Sequence, residues 1–317
     1  MKILLIFFLS LIINTSLVSA DNKPGRFFED QPDVTDEHQI HFIYLLPSDG
    51  KDRELDINGN METILEKVNN TMFEATKANK GSGGIGKKYR YDYRKDGKLD
   101  ITFIRTSKNW KELKDKSVNT QMGHYFHQVG GFNNKKKTYF FWTDVDKGEH
   151  GGDAGVGIGG IFVKSNNRSG DVMKHEKDFL HINLHELLHT QLMGIRCMNG
   201  MKKIHYTNQQ DDKSGHQLSY GTKLNRNLYT HNIEGCPQLI DSVYLTPTSK
   251  DPYNPYEIMC ERNLGKYTHP KLVKIMHEAE KKNKWYQNRI GPTCNWRDWT
   301  GEFAKSGEKF AFFGEMK

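Results

Sequence analysis

Two imidazoles and a carboxylate stand out by their spacing: His185-Glu186-Leu187-Leu188-His189. Around them, apolar residues at 180, 184, 187, 188 and 192 follow a helical period, and Gly194 is a natural helix stop, so the spacing predicts a helix over 178–194. Residues four apart on a helix stand one above the other, which lets His185 and His189 grip one metal ion. Glu186 is then placed to take a proton from a water that the metal activates. The chemistry implied is metal-assisted hydrolysis. The competing reading of the same five residues is two histidines in a surface stripe of a helix that binds nothing.

Such a helix needs a sheet to lie on, and the chain before it supplies the strands. His38 to Leu46 reads as a first strand, ended by the turn residues Pro47-Ser48-Asp49-Gly50. Met61 to Lys77 carries apolar residues at 61, 64, 65, 68, 72 and 73, an amphipathic helix. Tyr89 to Tyr93 and Leu99 to Arg105 flank a Lys95–Lys98 turn and read as paired strands, 108–129 as a helix, and Thr138 to Thr143 as a buried strand. The stretch from Asp144 to Gly160 is glycine-rich and acidic. Asp144, Asp146 and Asp153 with His150 could hold a structural cation, but a flexible acidic loop is the simpler expectation. Ile161-Phe162-Val163 then reads as an edge strand forming a cleft wall for an extended peptide. The expected class is α+β, a mixed sheet with packed helices.

The address of the chain is legible at its start. Lys2, an apolar run from Ile3 to Ile13, and Val18-Ser19-Ala20 predict a secretory signal over residues 1–20, cut before Asp21. No later segment has the roughly 18 apolar residues that span a bilayer. The expectation is therefore a secreted or periplasmic monomer without a membrane span. Residues 21–37 read as a loose polar lead, residues 38–317 as one large domain, and its C-terminal subdomain begins at about 195. Loss of Lys2 lowers the formal charge from +7 to +6, and the remaining lysines are scattered among acids apart from Lys135-Lys136-Lys137. That pattern reads as solvated surface and argues against nucleic acid as a partner. Cys197, Cys236, Cys260 and Cys294 all follow the histidine helix, and an even count in an exported chain predicts two disulfides. Of three possible connectivities, 197–236 with 260–294 closes the most local loops.

Together the signal, the strand at 161–163, His185-Glu186-x-x-His189 with Thr190 and Gly194, and the later Glu257-Ile258-Met259 resemble the metzincin clan of zinc metallopeptidases. The segments Pro47 to Arg53 and Leu99 to Arg105 also resemble a group of uncharacterised secreted bacterial proteins. The resemblance implies a zincin-like fold with an active-site helix and a disulfide-bearing C-terminal region. It implies a Zn²⁺ cofactor on His185 and His189, Glu186 as general base, Met259 in a methionine turn under the metal, and a peptide or protein substrate. The chain departs from the clan in three places. Gly194 lies five residues after His189 instead of three, so the usual third-ligand position falls on Cys197. His216, after Ser214-Gly215, is the expected third ligand, with His205 and His231 as alternatives. Cys260-Glu261 follows Met259 where several members place a tyrosine, and the lead has no cysteine to latch a zinc. His181 lies eight residues before His189, about 12 Å along the axis, too far to share the ion with it. Its expected place is behind the ligands or on the surface. The rival classes are an exported binding protein that keeps the fold without catalysis, and a zinc amidohydrolase acting on cell-wall peptide.

Overall fold

The apolar run Gln39–Leu46 forms β1, buried along its whole length. A strand covered on both faces reads as a continuous hydrophobic run, which is why the segment lacks alternation. A computed structural model describes residues 21–78, 86–106, 109–113, 134, 136–146, 151–155, 158–164, 176–190 and 243–246. After β1 come α1 (Asn60–Ala78), β2 (Ile101–Arg105), the short α2 (Trp110–Leu113), β3 (Lys137–Asp146), β4 (Gly152–Gly155), β5 (Ile158–Lys164) and α3 (Glu176–Thr190). The five strands make one sheet in the order β2-β1-β3-β5-β4. Strands β2, β1, β3 and β5 run parallel, and β4 closes the edge antiparallel to β5. The architecture is α+β, as the residue pattern predicts.

Pleating divides the strands into two faces. Ile40, Phe42, Tyr44 and Leu46 of β1, Phe140 and Trp142 of β3, and Ile161 and Val163 of β5 face the helices. They meet Met61, Ile64, Leu65, Val68 and Met72 of α1 and Phe179, Leu184, Leu187 and Leu188 of α3. Helix α1 starts where Asn58 Oδ1 accepts the Asn60 N–H at 2.9 Å, satisfying a donor of its first turn. Its Asn69 then acts as a strand partner. Asn69 Oδ1 accepts the Tyr89 N–H (2.6 Å), and its Nδ2 donates to the Tyr89 carbonyl (2.9 Å).

Two expectations change here. The strand at 161–163 is not an edge: β5 is hydrogen-bonded to β3 on one side and β4 on the other. The edge is β4, inside the stretch expected to be a flexible glycine loop. Glycine is required there by contact rather than by flexibility. A Cβ on Gly160 would stand 2.6 Å from the Phe141 carbonyl oxygen, and one on Gly159 would stand 2.9 Å from Thr190 Cγ2. Helix α3 thus packs directly on the β4–β5 backbone.

The second correction concerns the lead, which is pinned rather than loose. Phe27 makes a parallel bridge to Thr102, and its carbonyl accepts the Phe103 N–H at 2.8 Å. Arg26 is buried, donates to Asp52 and Asp56 through both sides of its guanidinium, and stacks 3.8 Å from the Phe103 ring centroid. Residues 21–37 therefore belong to the folded body. Of the other expectations, the helix at 108–129 is seen only as α2 within the described residues, and the signal at 1–20 lies outside them.

Candidate functional site

Helix α3 carries His185, Glu186 and His189, with the two histidines one turn apart. Two contacts to Trp142, braced by one within the helix, fix its register on the sheet. Phe179 packs edge-on against Trp142 with centroids 4.7 Å apart, Trp142 Nε1 donates to Asn183 Oδ1 at 3.0 Å, and Asn183 Nδ2 donates to the Phe179 carbonyl at 2.8 Å. Leu187 and Leu188 point into the core, as their spacing predicts. Ile182 packs over Gly151, just before β4, and Thr190 lies over Gly159 of β5, the partner of Ala154 towards the other end of β4. The helix and β4 therefore run side by side.

Glu186 sits at the centre of this contact. It is 7% exposed, and a Cβ on Gly152 would come within 2.7 Å of its Cγ. Burial, reinforced by the charge of Asp153 on β4, pushes its carboxyl well above the usual range. Among the described residues no donor reaches that carboxyl. A buried acid without a partner stays protonated until a positive charge arrives beside it. The residue types therefore fit a divalent metal: two histidine positions one turn apart on the helix, and between them in sequence an acid whose proton a cation would release. His185 is half-buried. His216, His205, His231, Met259, Cys197, Cys236, Cys260 and Cys294 lie outside the described residues, as does His150.

Of the acids expected as a possible cation site, Asp144 is engaged by other side chains. Asp144, at the end of β3, accepts two hydrogen bonds from Arg53 (2.8 and 2.9 Å) and one from the Tyr44 hydroxyl (2.9 Å). Its charge is spent on holding the loop after β1. Burial, then the neighbouring Asp144 charge, holds the Tyr44 phenol above its usual range, so it remains a donor.

A second cluster was invisible in the sequence. On the sheet face away from α3, donor atoms of Asp30, His41, Asp92 and Asp100 all lie within 4.8 Å of one another. His41 Nδ1 is 2.9 Å from Asp92 Oδ2, and its Nε2 is 2.9 Å from Thr102 Oγ1. Carboxylate, imidazole and hydroxyl in a line is the arrangement of a nucleophile relay. However, Thr102 and His41 are each 0% exposed, so no substrate reaches the hydroxyl. Nor is this the better metal centre. Lys137 Nζ stands 2.5 Å from Asp30 Oδ1, 2.6 Å from Asp33 Oδ1 and 2.7 Å from Asp92 Oδ2, so an ammonium fills the point where the acids converge. Burial opposes that charge, but the hydrogen bonds to Asp30, Asp33 and Asp92 outweigh it and hold the lysine above its usual range. Lys137 belongs to the one basic run set apart from the scattered lysines in the sequence, and it is 1% exposed.

No protein-family model matches the chain, and no curated protein matches it. Among solved structures, the chain is similar to the crystal structure of wild-type OgpA from Akkermansia muciniphila, with 11% identity and a TM-score of 0.43. That match covers 71% of this chain and 65% of that one, so it spans just under two thirds of OgpA.

Proposed function

We propose that this chain is a zinc-dependent metallopeptidase with a zincin-like fold, exported and stabilised by C-terminal disulfides, that hydrolyses peptide bonds. One observation carries the reading: Glu186 is a buried acid on the histidine helix with no donor among the described residues, pressed against the antiparallel strand β4. His185 and His189 hold the ion, with His216 as the third ligand. Zinc, when bound, polarises the scissile carbonyl and makes water a nucleophile near neutral pH. Glu186 receives the proton of the attacking water and passes it to the leaving amine. Its apolar wall of Gly152 and the Asp153 charge raise its proton affinity, which suits a group that must give the proton back. Strand β4 supports a peptide as substrate. Its inner edge pairs with β5, and among the described residues nothing pairs with its outer edge, so its backbone can add an extended chain as a further strand. Asn183 and Trp142 hold the helix at the depth that brings Glu186 to that strand.

The experiment is cleavage of an unfolded protein substrate by the zinc-loaded chain, followed by mass spectrometry of the fragments. Glu186→Gln should lose at least about 10²-fold in rate, the lower range for a general base, while keeping the fold and the zinc. Zinc binding without cleavage of any peptide or cell-wall amide would leave a binding protein. Unchanged cleavage by Glu186→Gln would overturn the mechanism.

A further inference from the structure

The cluster behind the sheet holds more negative charge than it can neutralise. Among the described residues, four carboxylates, Asp30, Asp33, Asp92 and Asp100, meet Lys137 and His41. Two buried oxygens there, Asp92 Oδ1 and Asp100 Oδ1, have no hydrogen-bond partner among the described residues. A metal is disfavoured by Lys137, so the remaining small cation that can satisfy such oxygens is a proton, which converts one carboxylate into a donor. Asp100 is the member tied to the lead: its Oδ2 accepts the Gln31 N–H at 2.7 Å.

We infer that Asp100 and the acids around it form a proton-operated latch: proton uptake tightens residues 29–33 against the sheet, and proton loss loosens them. The groups that face Asp100 are Asp30 and the Gln31 N–H from the lead, His41 from β1, and Asp92 from the segment before β2. Lys137 from β3 completes the ring through Asp30, Asp33 and Asp92. Burial lifts Asp100 most. Asp92 and Asp30 add to it and His41 and Gln31 oppose it, leaving the carboxyl at about 6. A folded value above the unfolded one contributes stability that is present below 3.8 and lost as pH rises through about 6. Asp92 has the opposite sign. Burial pushes it up, but His41 and Lys137 outweigh that and hold it low, so its contribution is lost only in acid below its unfolded value of 3.8. Between pH 5 and 7 Asp100 therefore governs.

The test is amide hydrogen exchange of residues 29–33 in the full mature chain, corrected for intrinsic rates and referred to β1. With values of 3.8 open and about 6 closed, local opening should be about tenfold more frequent at pH 7 than at pH 5. Asp100→Asn, which still accepts from Gln31, should flatten that ratio to near one. The Asp100 carboxyl carbon, followed by NMR in the unmutated chain, should titrate near pH 6 whether or not the variant folds. A ratio below about twofold in the unmutated chain, persistence of the tenfold ratio in Asp100→Asn, or an Asp100 inflection below pH 4 would each overturn the latch.

Discussion

Replacing Gly152 by alanine tests the packing that presents Glu186. The new methyl would stand 2.6 Å from the Gly160 carbonyl oxygen, 2.7 Å from Glu186 Cγ and 3.0 Å from its Cδ. The first of these neighbours is backbone on β5, the strand that pairs with β4, and cannot recede without parting the two strands. The others belong to the Glu186 side chain, which is 7% exposed. Overpacking of this kind costs about 1–3 kcal/mol, and alanine recovers only a few tenths to about 1 kcal/mol by stiffening the unfolded chain. A net loss near 2 kcal/mol lowers the melting temperature by roughly 4–8 °C in a domain of this size. Gly151→Ala is the control. Its nearest neighbour is Ile182 Cδ1 at 2.8 Å, the free end of a partly buried side chain, so the change should stay within about 1 kcal/mol. Calorimetry of both variants, with hydrolysis measured well below melting, separates stability from activity. Gly152→Ala should lose more activity than its folded fraction explains, because the methyl displaces Glu186. Equal melting temperatures for the two variants would refute the contact argument.

Lys137→Met should destabilise the fold by about 3–5 kcal/mol in urea unfolding, because it strands the Asp30 and Asp92 carboxylates in the interior. Lys136→Met, whose partner Asp36 is solvated, should change little. His38, packed edge-on against Tyr244, is held down to about 4, by burial first and then by Lys136 and Arg90. A folded value below the unfolded 6.5 contributes stability that is present above 6.5 and lost as pH falls through about 4. This opposes Asp100 in the same window. Melting temperatures followed from pH 4 to 6.5 should therefore move in opposite directions in the two variants: falling in acid for Asp100→Asn and rising in acid for His38→Gln. His216→Ala and His189→Ala should lose bound zinc after dialysis against a mild chelator, while His205→Ala, His231→Ala and His181→Ala keep it. Retention by His216→Ala with loss in one of the others moves the third ligand.

The fold was readable where one segment contains its own reason. Helix α1 follows from its 61, 64, 65, 68 and 72 spacing, and β1, β3 and β5 from runs of apolar and aromatic residues that only a covered sheet accepts. The helix with His185, Glu186 and His189 follows likewise, because its period and its chemistry share one short segment. What stayed hidden depends on distant partners. Gly152–Gly155 has no strand propensity of its own and becomes β4 only by pairing with β5 and lying under α3. Arg26 finds Asp52 and Asp56 across a loop, and Lys137 finds Asp30 across more than 100 residues, so neither pairing shows in the local sequence. The elevated proton affinity of Glu186 also required the fold, because burial raises it first and Asp153 adds to it only across the sheet edge.

The central claim is that His185, Glu186 and His189 form a zinc centre, and metal analysis of the purified chain tests it most directly. After reconstitution and removal of loose metal, the account predicts one zinc per chain, retained in Glu186→Gln and lost in His185→Ala and His189→Ala that still fold by circular dichroism. A reconstituted, folded chain that holds no zinc, or one whose zinc survives both histidine substitutions, would contradict it.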